Sequence, residues 1–201
     1  FGIDKSKDNI ENWVNGACSR YLGYKKTHKN TPNALFIPGN SSKNIRNGDA
    51  IYDEQYKKVT QAIFGQGAKD PTKLGKEVIN YYGLGSDGFD ISSCQFALHY
   101  FFKTRETLEN FIQNVIDCTK VNGYFIGTSY DGKKIFNYLK DKKYNESVSF
   151  YNKSNSKKIW EITKLYENND FTDDATSIGY TIDVYQESIN KSFPEFLVNF
   201  D

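Results

Sequence analysis

Two apolar runs of strand length with an amphipathic helix between them constrain this chain more than any other feature. The first is Phe89-Asp90-Ile91-Ser92-Ser93-Cys94-Gln95-Phe96-Ala97-Leu98-His99-Tyr100-Phe101-Phe102, which follows Gly88 and ends in a cluster of large rings. Thr104 then offers an N-cap with Glu106 in the first turn. Leu108, Phe111, Ile112, Val115 and Ile116 form an apolar stripe at helical spacing, closed by Gly123. Tyr124-Phe125-Ile126-Gly127-Thr128-Ser129 is the second run. Strand, helix and strand in succession predict an α/β sheet, where ligands bind at the carboxyl ends of the strands. The first run reads as a central strand delivering a buried Gln95, then His99 and Tyr100, to that edge. Taken alone, these side chains are also readable as satisfied polar groups of an ordinary core.

Phe1-Gly2-Ile3-Asp4 reads as a further strand ending in an acid, and a helix is predicted from about Gly16 with Ala17, Tyr21 and Leu22 facing the core. Ala34-Leu35-Phe36-Ile37 is another strand, with Pro38-Gly39-Asn40-Ser41-Ser42 as its outgoing loop. Ile51, Val59, Ala62 and Ile63 recur at near-helical spacing, and a loop from about Gly65 leads to a short helix near Lys76 to Tyr81. Asp131 opens a helix carrying Ile135, Phe136 and Leu139. Beyond it, residues 146–186 change character: Val148 to Tyr151, Ile159 to Tyr166 and Ile178 to Tyr185 are β-branched and aromatic runs between polar turns, predicting an antiparallel insertion.

With 201 residues and 38% hydrophobic content the chain supports one sizeable core, so 1–201 is expected to be a single domain. No run approaches the length of a membrane span, and the first residues lack the succession of a signal peptide. Cys18, Cys94 and Cys118 include no C-x-x-C pair, which fits a reducing, intracellular compartment, and only His28 and His99 are available as imidazole ligands, which argues against a His/Cys metal site. The formal charge of +1 carries no global signature of a nucleic-acid binder. Basic clusters are local: Lys25, Lys26, His28 and Lys29; Lys140, Lys142 and Lys143; Lys157 and Lys158. Such runs are usually solvated surface.

Phe89-Asp90-Ile91 running into Cys94-Gln95-Phe96 and His99-Tyr100, then Gly123-Tyr124-Phe125-Ile126-Gly127-Thr128, then Pro194-Glu195-Phe196-Leu197-Val198 occur in the order found in one family. The chain resembles the mRNA cap guanine-N7 methyltransferases, and Asp131-Gly132-Lys133 is similar to the enzymes of large DNA viruses. The resemblance implies a Rossmann-like S-adenosylmethionine-dependent methyltransferase fold, truncated at its N-terminus, with 146–186 as a lid over the cap pocket. The family's first strand and glycine-rich loop should lie upstream, so the sequence is expected to be an excerpt of a larger capping enzyme. The implied cofactor is S-adenosyl-L-methionine and the implied substrate 5′-capped RNA. Linked triphosphatase and guanylyltransferase domains and a stimulatory subunit are candidate partners, and a viral source would place the chain in host cytoplasm or virion.

Residue by residue, the resemblance assigns Asp4 to the ribose hydroxyls and Asn40 to the adenine amino group, with Ser41, Gln95 and Tyr100 also on the cofactor. Arg20 is assigned to the cap phosphates, and His99, Tyr100, Tyr130 and Glu195 to the cap guanine. Each has a plainer reading: Asp4 a helix cap, Arg20 a surface cation, Asn40 a turn residue, and Pro194-Glu195 a helix start. The family often has Pro where Tyr130 stands; a Tyr ring there can stack on guanine for about 1–3 kcal/mol. Glu195 suits a guanine edge that presents only donors, and losing such paired bonds can discriminate by ~10⁴ or more. Guanine N7 carries a free lone pair, so the expected catalysis is positioning by Tyr100 and Glu195, with no general acid or base and no metal. A second class of function is a catalytically silent methyltransferase-like module that binds RNA or a partner.

Overall fold

The structure, a computed structural model, describes residues 1–200, which form two compact units with mixed α/β structure. The first contains Phe1–Ser92 and Asn110–Tyr124. In it β1 (Gly2–Asp4) is followed by α1 (Lys7–Glu11), capped by the Ser6 hydroxyl, and α2 (Ala17–Thr27). Strand β2 (Phe36–Pro38) then pairs with β1 in parallel, Gly2 facing Phe36, Ile3 facing Ile37 and Asp4 facing Pro38. Helix α3 (Glu54–Ile63) starts where the Asp53 carboxylate accepts from the Gln55 and Tyr56 N–H groups, and buries Val59, Ala62 and Ile63. Those residues are the periodic set of the sequence. Ile37, Ala50, Ile51 and Val59 form the core here, with Ile3 and Val78 packed on it. Two single-turn helices follow, α4 (Pro71–Leu74) and α5 (Lys76–Ile79). Only the second matches the short helix expected near 76–81; Asp70 as N-cap before Pro71 is the local signal for the first.

Strand β3 (Phe89–Gln95), α6 (Arg105–Cys118) and β4 (Thr119–Thr128) run from one unit into the other. Among the described residues β3 pairs only with β4, so it is not flanked on both sides as a central strand would be, and Gln95 is exposed, not buried. The Thr104 hydroxyl accepts from the Thr107 N–H at 3.1 Å, as a cap should. Helix α6 is rotated from the expected stripe: Phe111, Asn114 and Cys118 are buried while Ile112 and Ile116 are 48% and 62% exposed. Gly123 does not close the helix, which runs directly into β4. It lies within that strand, where a Cβ would come within 2.9 Å of the Asp90 carbonyl oxygen. Leu22 is likewise exposed, because α2 lies on the surface with only Ala17, Cys18, Ser19 and Tyr21 half-covered.

The second unit contains Ser93–Glu109 and the chain from Phe125 onward. Helix α7 (Gly132–Tyr138) is capped by Asp131, whose Oδ1 accepts from the Lys134 N–H, and it buries Ile135 and Phe136. It packs on a four-stranded antiparallel sheet of β5 (Ser147–Tyr151), β6 (Lys158–Lys164), β7 (Thr181–Gln186) and β8 (Lys191–Phe196), in that spatial order. Three of these strands match the expected antiparallel runs. The fourth replaces the helix that Pro194-Glu195 could have started. Proline is tolerated there because β8 is an edge strand and need not donate to an outer neighbour. Leu139, Ile182 and Leu197 are almost fully buried, each worth about 2 kcal/mol of burial.

Candidate functional site

Glu195 owes its position to the pleat of the antiparallel sheet. It lies opposite Ile182 on β7, and cross-strand partners share a face, so the carboxylate enters the inward row that Ile182 and Val184 fill. It is 6% exposed. His99 reaches the same place from a 3-10 helix (Leu98–Lys103) that packs against β8. The turn into that helix is made at Phe96, whose φ of 49° is left-handed, uncommon for a bulky side chain. The Phe96 N–H is held by the Thr128 carbonyl oxygen at 2.9 Å.

His99 is 2% exposed and its Nε2 lies 3.6 Å from Glu195 Oε1, beyond hydrogen-bond reach. Among the described residues neither His99 nitrogen has a hydrogen-bond partner, nor do Glu195 Oε2 and the Ser129 hydroxyl just past β4. Burial holds the imidazole down at about 4, so the ring is neutral at physiological pH. Burial pushes the Glu195 carboxyl up to about 7, aided by the charge of Asp183 on the neighbouring strand. The two groups therefore do not form an ion pair at neutral pH. Aromatic rings flank the imidazole: Tyr100 has its centroid 4.2 Å from His99 and Tyr130 5.3 Å. Tyr130 packs on Trp160 at 5.7 Å, accepts from Gln186 Nε2 at 3.1 Å, and has its phenol pushed up to about 12, mainly by burial. Gly132 allows the chain after Tyr130 to approach closely, since a Cβ there would lie 2.2 Å from the Val198 carbonyl oxygen.

The first unit gathers a different set. Parallel pairing brings the ends of β1 and β2 to one edge, with Asp4 opposite Pro38 and Asn40 just beyond. Asp4 and Arg20 line one open cavity of about 490 Å³. The Asp4 carboxylate accepts from the Ser6 N–H at 2.8 Å and from the Asn9 amide, which leaves it further acceptor sites. Gly39 threads a gap where a Cβ would meet the Ile51 side chain at 2.6 Å. Asn40 Oδ1 accepts from the Ser42 N–H, so its turn reading holds locally while one lone pair stays open. Ser41 is fixed through its carbonyl, which accepts from Asn114 Nδ2 at 2.8 Å.

Of the residues expected from the sequence, His99, Tyr100, Tyr130 and Glu195 share one cluster in the second unit. Gln95 belongs to that unit at the end of β3, its amide bonded to Ser93 and Thr128. Asp4, Arg20, Asn40 and Ser41 belong to the first unit. Sequence reasoning missed Ser129, Gln186 and Asn114. Only Asn114 had a legible signal, an amide three residues after Phe111 and four before Cys118 on the helix. Among the described residues no three His, Cys, Asp or Glu side chains form a metal-binding group, and no helix is long and apolar enough to cross a membrane.

Comparison with known proteins places these features. The family described as the mRNA (guanine-N(7))-methyltransferase domain matches residues 7–201. The "Probable mRNA-capping enzyme" of Acanthamoeba polyphaga mimivirus is 30% identical over 210 residues, covering 98% of this chain and 16% of that protein. The mRNA cap guanine-N(7) methyltransferase of Saccharomyces cerevisiae is 31% identical over 56% of this chain and 25% of its own length. That of Caenorhabditis elegans is 45% identical over 24% of this chain and 13% of its own length. The chain thus spans a quarter or less of each of these relatives. With the profile matching from Lys7 to the last residue, the chain belongs to the mRNA (guanine-N(7))-methyltransferase domain family.

Proposed function

We propose that this chain transfers a methyl group from S-adenosyl-L-methionine to N7 of the 5′ guanosine of capped RNA. In this reading residues 1–201 are one methyltransferase domain of Rossmann-like topology, excerpted from a longer capping enzyme. The observation that carries it is the cluster of buried polar atoms without partners among the described residues, His99 Nδ1 and Nε2 and Glu195 Oε2, with the Tyr100 and Tyr130 rings against His99. Buried polar atoms are normally paired, because leaving each one unpaired costs about 1–3 kcal/mol. A planar ligand that presents donors to the carboxylate and a ring face to the tyrosines recovers that cost. Guanine does so through N1–H and the N2 amino group. Adenine offers an acceptor at N1, which a carboxylate repels.

The residues of the first unit fit the cofactor. The open acceptor sites of Asp4 suit the two ribose hydroxyls, and the open lone pair of Asn40 suits the adenine amino group. Bound S-adenosyl-L-methionine supplies an electrophilic methyl group on a sulfonium. The residues of this chain contribute placement: Glu195 fixes the rotation of the base in its plane, Tyr100 and Tyr130 fix the plane, and Arg20 suits the cap phosphates. Because N7 carries its own lone pair, no side chain has to remove a proton first. Such positioning supplies roughly 7–11 kcal/mol of a barrier.

The test separates the two sets of residues in the full-length protein. Glu195→Ala should abolish transfer to GpppRNA while S-adenosyl-L-methionine binding, read by calorimetry, persists. Asp4→Ala should weaken cofactor binding and leave affinity for a cap analogue unchanged. Unaltered transfer by Glu195→Ala refutes the assignment.

A further inference from the structure

Helix α2 has eleven residues and buries none of them, although helices that short are marginal without tertiary packing. From Leu22 through Asn30 every residue is exposed. The segment 17–33 holds four cations, Arg20, Lys25, Lys26 and Lys29, and no acid, in a chain whose net charge is +1. Among the described residues no carboxylate pairs with any of them. The helix dipole favours Lys25 and Lys26 in the last turn but does not account for Lys29 outside it.

Two rings stand among these cations. Tyr24 and His28 are stacked, centroids 3.8 Å apart and planes within 6°. His28 Nδ1 is 3.1 Å from the Tyr24 carbonyl oxygen and 2.8 Å from the Thr27 hydroxyl, which holds the imidazole in place at the helix end. The result is an ordered, solvent-facing aromatic platform flanked by lysines without a carboxylate partner, Lys25 donating to the Asn33 amide oxygen at 3.1 Å and lying over the Tyr21 ring.

We propose that this end of α2 binds the body of the RNA substrate, with a base stacking on the Tyr24–His28 pair and backbone phosphates on Lys25, Lys26 and Lys29. The inference rests on the reading of capped RNA as substrate. Its chemistry is that of single-strand binding in general, in which basic side chains follow the backbone and aromatic faces accept bases of any sequence. The surface takes no part in methyl transfer and adds affinity for a transcript over an isolated cap.

The experiment compares the dinucleotide GpppA with a capped RNA of about 15 nucleotides, a length typical of single-strand sites, and measures binding of the same RNA uncapped. It uses the full-length protein and two variants, Lys25→Gln/Lys26→Gln/Lys29→Gln and Tyr24→Ala. The wild type should bind uncapped RNA and show a lower KM for the long substrate. The triple variant should raise that KM about tenfold and flatten the salt dependence of log affinity by about 2, from roughly 0.7 per lost phosphate contact. GpppA kinetics and melting temperature should not change. Tyr24→Phe should restore what Tyr24→Ala loses. A triple variant with unaltered salt slope and RNA affinity overturns the proposal, as does a polyglutamate peptide that competes as well as RNA. Failure of the wild type to methylate GpppA would sink the proposed function separately, since uncapped RNA binding reads this surface by itself.

Discussion

The two units treat their polar residues in opposite ways. At the β1–β2 edge Asp4 and Asn40 are half-buried and already hold N–H groups of their own loops. At the β8 cluster His99 and Glu195 are almost fully buried and keep unpaired atoms. A satisfied edge costs the fold little and exchanges partners with a ligand's hydroxyls. An unsatisfied buried cluster costs stability until a ligand arrives, and for that reason discriminates against ligands that cannot complete it. The contrast fits the proposed roles, a solvent-accessible edge for the cofactor and a strict pocket for the base.

The contrast is broken most severely at Glu195. Glu195→Gln should cut transfer to capped RNA by about 10³-fold or more, because the amide presents a donor as well as an acceptor to the guanine edge. The same variant should gain stability in alkaline buffer. The folded carboxyl titrates near 7 against an ordinary 4.5, so the cost of its buried charge is absent below about 4.5 and complete above about 7. Chemical denaturation at pH 8 and pH 4.5 should show a gain of about 1–3 kcal/mol at the higher pH only. His99 acts with the opposite sign: its folded value of about 4 lies below the ordinary 6.5, so stability is intact above about 6.5 and is lost as pH falls through 4.

Next in size, Gly132→Ala should destabilise the second unit by about 3 kcal/mol, read by denaturant melting, because the new methyl overlaps the Val198 carbonyl oxygen. Asn114→Ala should cost the first unit a comparable 2–3 kcal/mol and weaken cofactor binding. Its amide donates to the Ser41 and Lys43 carbonyls and accepts from the Ile45 N–H, and all three would be left without it. An effect of Asn114→Ala on cap affinity instead would contradict the division between the units. The smallest expected effect is on pH: kcat/KM for capped RNA should rise several-fold from about pH 6 through a midpoint near 7 to a plateau about one pH unit higher as Glu195 ionises, and the rise should be absent in Glu195→Gln.

Much of this was legible in the chain itself. The strand ending at Asp4, the helix around Val59 and Ile63, the Asp131 cap and the antiparallel runs after 146 follow from periodicity and caps, which act over a few residues. The resemblance supplied the candidate residues, and four of them, His99, Tyr100, Tyr130 and Glu195, lie in one cluster. What failed were statements about surroundings. Gln95 looked buried because its neighbours are apolar, yet it ends a strand paired on one side only. Ile112 and Ile116 looked like core because they match a stripe, but the helix turned Asn114 inward, where loop carbonyls await its amide.

The sequence by itself determined most of the strands and helices in order, with α4 and β8 among the exceptions, and the family to which they belong, since local spacing and short motifs are written in neighbouring residues. Only the tertiary structure decided that Glu195 is a strand residue on an inward row, that among the described residues none pairs with its Oε2 or with the His99 nitrogens, and that the outer end of α2 keeps Tyr24, His28 and its lysines in solvent. Those are properties of environment, and burial and pairing depend on residues far apart in the chain.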